Sequence, residues 1–321
     1  MSDRIPSFLL LVPGPWNEAE EVVARLADAG VGATVAGTAP LAAGTVEVDL
    51  VDDPGLGAAV ARAWTGELSD ALRSRLEGTT RAALVEIGQR LDEDLGALAK
   101  LGHALSEAGG LAVRMERSGH AMSWETWLSR VEGEDPRGLF ALGVIFGRDA
   151  DGNLFTCGMH HFDRPEVQVA MAETEEPAYL LEALSLYLLF DSPNLTSGHT
   201  FRPDEDSPRR VLERWPDHRH GAGDGRHNPF GIWRLLAPGR QGLEPLQTVP
   251  TFMPSLSALL LAAERSAGRP LQRKEVAALV EKGTTIAMEI ADAIALERTR
   301  GYADIEPRLA WEQWQIVRLN A

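Results

Sequence analysis

The chain has almost no cysteine: Cys157 is the only one among 321 residues. A single cysteine excludes an intramolecular disulfide and a zinc site made of several thiolates from one chain. Because disulfides persist in oxidising compartments, their exclusion favours a reducing one. Long apolar runs are missing as well, since the run at residues 8–12 is far shorter than the roughly eighteen residues that suggest a membrane span. We therefore predict a cytoplasmic protein with no membrane partner.

Positive charge is scarce relative to negative charge. Lys and Arg total 31 and Asp and Glu total 47, which gives a formal net charge of -16. Such a surface repels phosphate backbones, so we predict no nucleic-acid partner. An acidic surface suits a basic protein partner, although acidity is also a common route to solubility.

The common nucleotide-binding and nucleophile motifs are also missing. The stretch Asp-Asp-Pro-Gly-Leu-Gly at 52–57 lies between a predicted strand and a predicted helix, where a phosphate loop would lie. However, Val60 replaces the third glycine of the dinucleotide pattern, and the two acids would repel a pyrophosphate. There is no P-loop and no Gly-x-Ser-x-Gly elbow. We expect an ordinary strand-to-helix turn at 52–57 and no cofactor.

Hydrophobic periodicity predicts an α+β domain over residues 1–245, with a mostly antiparallel sheet and helices packed on it. Strands are expected at 8–12, 46–50, 139–146 and 154–158. The longest helical pattern covers 79–108, where leucine recurs every seven residues from Leu84 to Leu105. Residues 203–228 are rich in Pro, Asp, Arg, His and Gly, which predicts a long exposed loop.

The composition changes after Pro-Gly-Arg-Gln-Gly at 238–242. Helical patterns follow at 255–267, 273–281, 285–298 and 308–319, and strand patterns are nearly missing. We therefore predict a boundary near residue 245 and a small all-helical domain over 246–321.

Five short motifs resemble those of the bacterial domain of unknown function 4261 family. They are LLLVPGPW at 9–16, LAVRMERSG at 111–119, GMxxFxxPE at 158–166, LLEALSLYLL at 180–189 and GHT at 198–200. Their order and spacing extend the resemblance over about residues 9–236. The resemblance implies a bacterial protein, but the family has no established activity or catalytic residues to carry over. The helices after residue 246 look like an accessory module.

Histidine and acid come together around one bend of the chain, at His160, His161 and Glu166, with His199 following a predicted helix. Neighbouring side chains on a strand face opposite ways, so the paired histidines would share a pocket only if the strand bulged. One interpretation is a structural turn in which Pro165 fixes the corner and Glu166 accepts backbone hydrogen bonds. The alternative is a metal or hydrolase site made of one of the paired histidines, Glu166 and His199, although the His-Glu-x-x-His spacing is missing.

The remaining candidates favour structural roles. Cys157 precedes a glycine and is expected to be a small core residue. His218, His220 and His227 could bind a metal as a His-rich tract, but their polar surroundings lack a hydrophobic shell, so we expect none.

These patterns favour a non-enzymatic protein-interaction module, and an immunity-like role would fit. We expect neither a metal nor a cofactor, and no residue is assigned as catalytic. The competing hypothesis is a metal-dependent or histidine-based hydrolase with a site near His160 or His161, Glu166 and His199.

Overall fold

A computed structural model of the chain describes residues 6–133 and 135–320. The described residues form two compact units, residues 6–145 and residues 146–320. Both units combine helices with a mainly antiparallel sheet, which confirms the predicted α+β class. No helix in the described part of the chain is long and apolar enough to cross a membrane.

The first unit contains a six-stranded sheet in the order β2-β3-β4-β1-β5-β6. Only β2 and β3 pair in parallel. The strands are β1 Phe8–Pro13, β2 Thr34–Val35, β3 Val46–Asp52, β4 Arg81–Ile87, β5 Val113–Met115 and β6 His120–Met122. The helices are α1 Ala19–Asp28, α2 Leu56–Arg62, α3 Asp70–Glu77, α4 Leu95–Glu107, α5 Trp124–Glu132 and α6 Pro136–Gly143.

The predicted helix over 79–108 is wrong in its first half. Strand β4 occupies this part and pairs with both β1 and β3, and only α4 is helical. Ala82, Ala83, Val85 and Ile87 are buried, because β4 is an inner strand of the sheet. A strand that is apolar on both faces can contain leucines at the spacing of a helical repeat. The spacing of apolar residues alone therefore does not distinguish such a strand from a buried helix.

The strand predicted at 139–146 is mostly helix. Helix α6 begins with Pro136 in its first turn, and the Asp135 side chain caps it by accepting a hydrogen bond from the Gly138 amide at 2.9 Å. Proline and an aspartate cap at these positions are a standard helix start. The apolar residues that follow therefore continue a helix, and the chain becomes extended only from Ile145.

The second unit contains a six-stranded sheet in the order β10-β11-β12-β9-β8-β7, in which β12 and β9 are parallel. The strands are β7 Ile145–Arg148, β8 Asn153–Cys157, β9 Glu166–Ala170, β10 Thr200–Phe201, β11 Arg210–Trp215 and β12 Ile232–Leu235. Helix α7 Pro177–Leu186 packs against β8 and β9 and continues as a π-helical turn, Tyr187–Asp191.

The segment 203–228 is not the exposed loop that its composition predicted. Strand β11 lies within it and pairs with β12. Arg210, Asp217 and Asn228 are almost completely buried, and each makes hydrogen bonds within the protein: Arg210 donates to the Leu236 carbonyl and Asp217 accepts from the Asn228 amide. The amino-acid composition predicted solvent exposure here, because composition alone does not show which charged side chains pair with other groups inside the protein.

The C-terminal part of this unit is mainly helical. Its helices are α8 Leu256–Ala267, α9 Arg273–Lys282, α10 Ile290–Arg300 and α11 Ala310–Val317. Two strands also occur, β13 Thr248–Phe252 and β14 Thr285–Glu289, which pair antiparallel. The helix predicted from residue 285 therefore begins only at Ile290.

The predicted boundary near residue 245 falls inside the second unit, whereas the division between the units lies at residue 145. The helices after 245 do have a core of their own, formed by Phe252, Leu256, Leu260, Leu271, Val276, Ile305, Ala310 and Trp314. Contacts also connect them to the sheet, such as the 2.9 Å hydrogen bond that Gln313 Nε2 donates to the Arg214 carbonyl. Independent folding of 246–321 remains a prediction.

Limited proteolysis tests this point. Residues 238–242 are all exposed, so we expect the first internal tryptic cut at Arg240 rather than within 210–236. The two pieces should then co-elute in gel filtration, because the contacts between sheet and helices survive the cut. Separation into two folded pieces would instead show that 246–321 is an independent domain.

Candidate functional site

The paired histidines lie in a tight turn rather than on a strand. After β8 the chain forms a 3-10 turn, Met159–Phe162, between Gly158 at φ 125° and Asp163 at φ 53°. Both imidazole rings are buried, and their centroids lie 4.4 Å apart. The expectation that His160 and His161 face opposite ways is wrong, because a 3-10 turn lacks the alternation of a strand.

Glu166 lies at the start of β9 and is completely buried. Its carboxylate accepts hydrogen bonds from five groups on three segments of the chain. These are Thr156 Oγ1 at 2.7 Å, Gly158 N at 3.1 Å, Met159 N at 3.1 Å, Asn228 Nδ2 at 3.0 Å and His160 Nδ1 at 3.3 Å. An ionised carboxylate only accepts, so His160 carries a proton on Nδ1. Both carboxylate oxygens are thus fully used within the protein.

The surroundings of Glu166 favour its charged form. Burial raises the pKa of the carboxyl, but the hydrogen bond from His160 and the positive charge of Arg219 outweigh burial and hold the pKa below its ordinary value of 4.5. A carboxylate that accepts several hydrogen bonds commonly behaves in this way. Glu166 is therefore an anion at neutral pH rather than a proton donor.

A second buried ion pair lies beside this carboxylate. The Arg219 side chain donates to Asp217 from Nε at 3.0 Å and from Nη2 at 3.1 Å, and Nη1 donates to the Thr156 carbonyl at 2.8 Å. Asp217 also accepts from the Asn228 amide at 2.9 Å. The segment 217–228 is thereby tied to β8 and to Glu166.

Sequence reasoning missed Thr156, Asp217, Arg219 and Asn228. Asn228 lies 62 positions from Glu166 along the chain, and no local pattern connects positions so far apart. The Asp-x-Arg spacing at 217–219 does indicate a local ion pair. Its burial depends on the long-range packing of the segment against β8.

His199 does not join this cluster. Its Nδ1 lies 2.9 Å from the Thr196 amide nitrogen and 3.1 Å from the Thr196 carbonyl oxygen, and the side chain is half-buried. None of its hydrogen bonds reaches Glu166, His160 or His161. The structure thus brings together three of the four candidate residues, and His199 stabilises a separate turn before β10.

The described residues contain no group of three His, Cys, Asp or Glu side chains that could hold a metal ion. Cys157 is buried, and burial raises the pKa of its thiol to about 12, so it is not a thiolate nucleophile at neutral pH. His220 stacks edge-on against Phe155 with a centroid distance of 6.5 Å. These side chains pack as structural groups.

A different kind of feature lies on the outer side of α7. Leu180, Leu181 and Leu184 are buried on its inner side. On the outer side Tyr179 and Phe190 are 42% and 44% exposed. Tyr187 stacks on Phe201 at 5.9 Å, and the Tyr179 hydroxyl donates to Asp204 at 3.3 Å. We call Tyr179, Tyr187, Phe190 and Phe201 the aromatic surface.

Comparison with protein-family models, with curated proteins and with solved structures found no match to this chain. The resemblance to the domain of unknown function 4261 family therefore stays a prediction based on the five short motifs. The geometry of the chain itself has to support any functional conclusion.

The Glu166 network predicts a specific mutational result. Glu166→Gln replaces one accepting oxygen by an NH2 group that faces hydrogen-bond donors, so the variant should lose about 1–3 kcal/mol of unfolding free energy. The exposed Glu244→Gln is a matched control and should change stability by less than about 0.5 kcal/mol. Chemical denaturation of the two variants and the wild type measures both values.

The same pair of variants separates the two hypotheses for the site. Unchanged stability in Glu166→Gln, together with loss of a biological activity that Glu244→Gln retains, would contradict the structural role and favour the hydrolase.

Proposed function

We propose that this chain is a non-enzymatic protein-interaction module whose partner is a basic protein. The aromatic surface is the observation on which the proposal rests. Aromatic side chains are enriched at the centres of protein interfaces because they bury a large area at a small cost in side-chain entropy. Here Tyr179 and Phe190 are exposed on the helical segment 177–191, and Tyr187 of the same segment stacks on Phe201 of β10.

The charge around the aromatic surface indicates the chemistry of the partner. No lysine or arginine occurs between Arg164 and Arg202. Exposed acids lie on both sides of the aromatic residues, at 175, 176 and 191 and again at 204–206. Opposite charges steer association and suppress wrong partners. Exposed aromatic rings also attract guanidinium groups through cation–π contacts. The surface of the partner should therefore be basic and contain arginine, because such a surface complements both the acids and the aromatic rings.

The buried cluster supports the non-enzymatic role over the hydrolase alternative. Glu166 is completely buried, and five protein donors occupy its two oxygens. A general base must reach the proton it abstracts, and a metal ligand must keep a free lone pair. His199, the third member of the hydrolase site, hydrogen-bonds to Thr196 instead. The same residues are well placed to fix the turn that supports α7 through β8 and β9.

The proposal also includes a cellular location, a bacterial family and a biological role. A cytoplasmic location fits the single cysteine. A bacterial origin and membership of the domain of unknown function 4261 family fit the five motifs. An immunity-like role, in which the chain neutralises a basic protein, fits the acidic aromatic surface.

Affinity capture with paired variants tests the proposal. We expect the wild type to retain a protein of isoelectric point above about 9 from a native lysate, and to release it as salt is raised. The double variant Tyr179→Ser/Phe190→Ser and the double variant Glu175→Lys/Glu176→Lys should both lose it. These four side chains are exposed, so folding should be unaffected.

The control variant is Glu20→Lys/Asp28→Lys, which makes the same charge change on exposed positions of α1. It should retain the basic protein. Equal capture by all variants, or capture of an acidic protein that depends on the aromatic surface, would contradict the proposal.

A further inference from the structure

The second unit contains a cavity of about 430 Å³. Its walls come from β11 and β12 on one side and from β13, α8, α10 and α11 on the other. Small-molecule sites in proteins span roughly 300–1,000 Å³ and are mostly apolar with a few polar groups. This cavity has the same character: Trp233, Leu261 and Ile294 contribute apolar walls, and Arg214 and Glu297 contribute charge.

Helix α10 gives independent support for an occupant. It is eleven residues long, and none of its residues is buried. Yet Ile290, Ala293, Ile294 and Glu297 follow the spacing of one helical face, and all four line the cavity. Helix α8, in contrast, buries Leu256 and Leu260 in the C-terminal core. The apolar face of α10 is thus half-exposed and borders the cavity.

Arg214 is the polar anchor of the cavity. Its Nε donates to the Phe230 carbonyl at 2.8 Å, and its guanidinium lies 5.1 Å from the centre of the Trp233 ring. Its Nη2 lies 3.5 Å from Glu297 Oε2, an ion pair rather than a close hydrogen bond. Among the described residues, the terminal nitrogens make no hydrogen bond. A ligand acceptor could therefore bind them while the ion pair persists.

The charges around the cavity favour a neutral ligand. The nearby cation Arg300 lies 3.8 Å from Asp304 and donates to the Phe252 carbonyl. Asp217 binds Arg219, and Glu306 binds Arg308. Glu297 opposes the charge of Arg214. An anionic ligand would add negative charge beside Glu297, and a cationic one would lie beside Arg214.

We propose that this cavity binds a small, neutral, predominantly apolar molecule with one carbonyl acceptor, such as a ketone, ester or lactone with a medium-length alkyl chain. The alkyl part lies against α10 and Trp233, and the carbonyl oxygen accepts from Arg214. Burial of the alkyl surface drives binding, at roughly 25 cal/mol per Å² removed from water. This site is separate from the aromatic surface and does not depend on the protein-interaction proposal.

Binding of 2-decanone to the full chain, measured by displacement of the neutral fluorophore N-phenyl-1-naphthylamine, tests the proposal. We expect saturable displacement by 2-decanone and at least about tenfold weaker displacement by decanoate and decylamine of the same length. Ala293→Trp fills the cavity from α10 and should weaken 2-decanone binding at least about tenfold. Ala291→Trp makes the same change at an exposed position of α10 outside the cavity and should bind as the wild type does.

Circular dichroism of both variants shows whether each is folded. Three results would overturn the proposal: no displacement by 2-decanone, equal binding by the two tryptophan variants, or tighter binding of decanoate than of the ketone. If Ala293→Trp fails to fold, Leu261→Trp on α8 replaces it, because Leu261 lines the same cavity from another helix.

Discussion

The fold of the second unit depends on one carboxylate, that of Glu166, which is completely buried. An isolated charge in a protein interior costs several kcal/mol, and the cost is offset only when hydrogen bonds and opposite charge surround it. Glu166 meets this requirement with donors from the 156–160 turn and from Asn228. Arg219 supplies the positive charge and donates to the Thr156 carbonyl, while Asp217 holds the Arg219 guanidinium in place. Because the donors to Glu166 come from the turn and from the segment 217–228, these two segments and the start of β9 hold one another in place.

This arrangement separates the buried histidines from the functional surfaces of the unit. The turn at 158–163 supports β8 and β9, against which α7 packs. On its outer side α7 presents the aromatic surface, and the segment 217–228 contributes one wall of the cavity. A polar network that specifies the conformation of a turn does not have to touch a ligand to matter for function. In the two proposals, the residues that would contact a partner or ligand are the aromatic ones and Arg214.

The sequence predicted those parts of the fold that depend on neighbours along the chain. The apolar run of β1 and the structural role of Glu166 toward the backbone of its own turn both follow from local patterns. The strand β4 was predicted as helix, because an inner strand that is apolar on both faces satisfies a seven-residue leucine repeat. Helix α6 was missed although Asp135 and Pro136 are a standard helix start.

In the candidate site, too, only contacts between residues that are close in sequence could be predicted. His160 and Glu166 interact and lie only six positions apart. That Asn228 and Arg219 complete the network depends on how a distant segment packs on β8, which no local pattern encodes. His199 was grouped with Glu166 because of its residue type, whereas its ring binds Thr196, three positions away. The cavity also depends on packing of the C-terminal helices beside the sheet.

The most direct test of this account is the titration of Glu166 itself in the folded protein, followed by the carboxyl 13C chemical shift. A charged, fully hydrogen-bonded carboxylate should titrate below its ordinary pKa of 4.5. In that case Glu166 contributes stability above the pKa of the unfolded chain, and the contribution is lost as pH falls through the folded value. A midpoint above 4.5 would contradict the account, because burial would then dominate and the carboxyl would be able to hold a proton for chemistry.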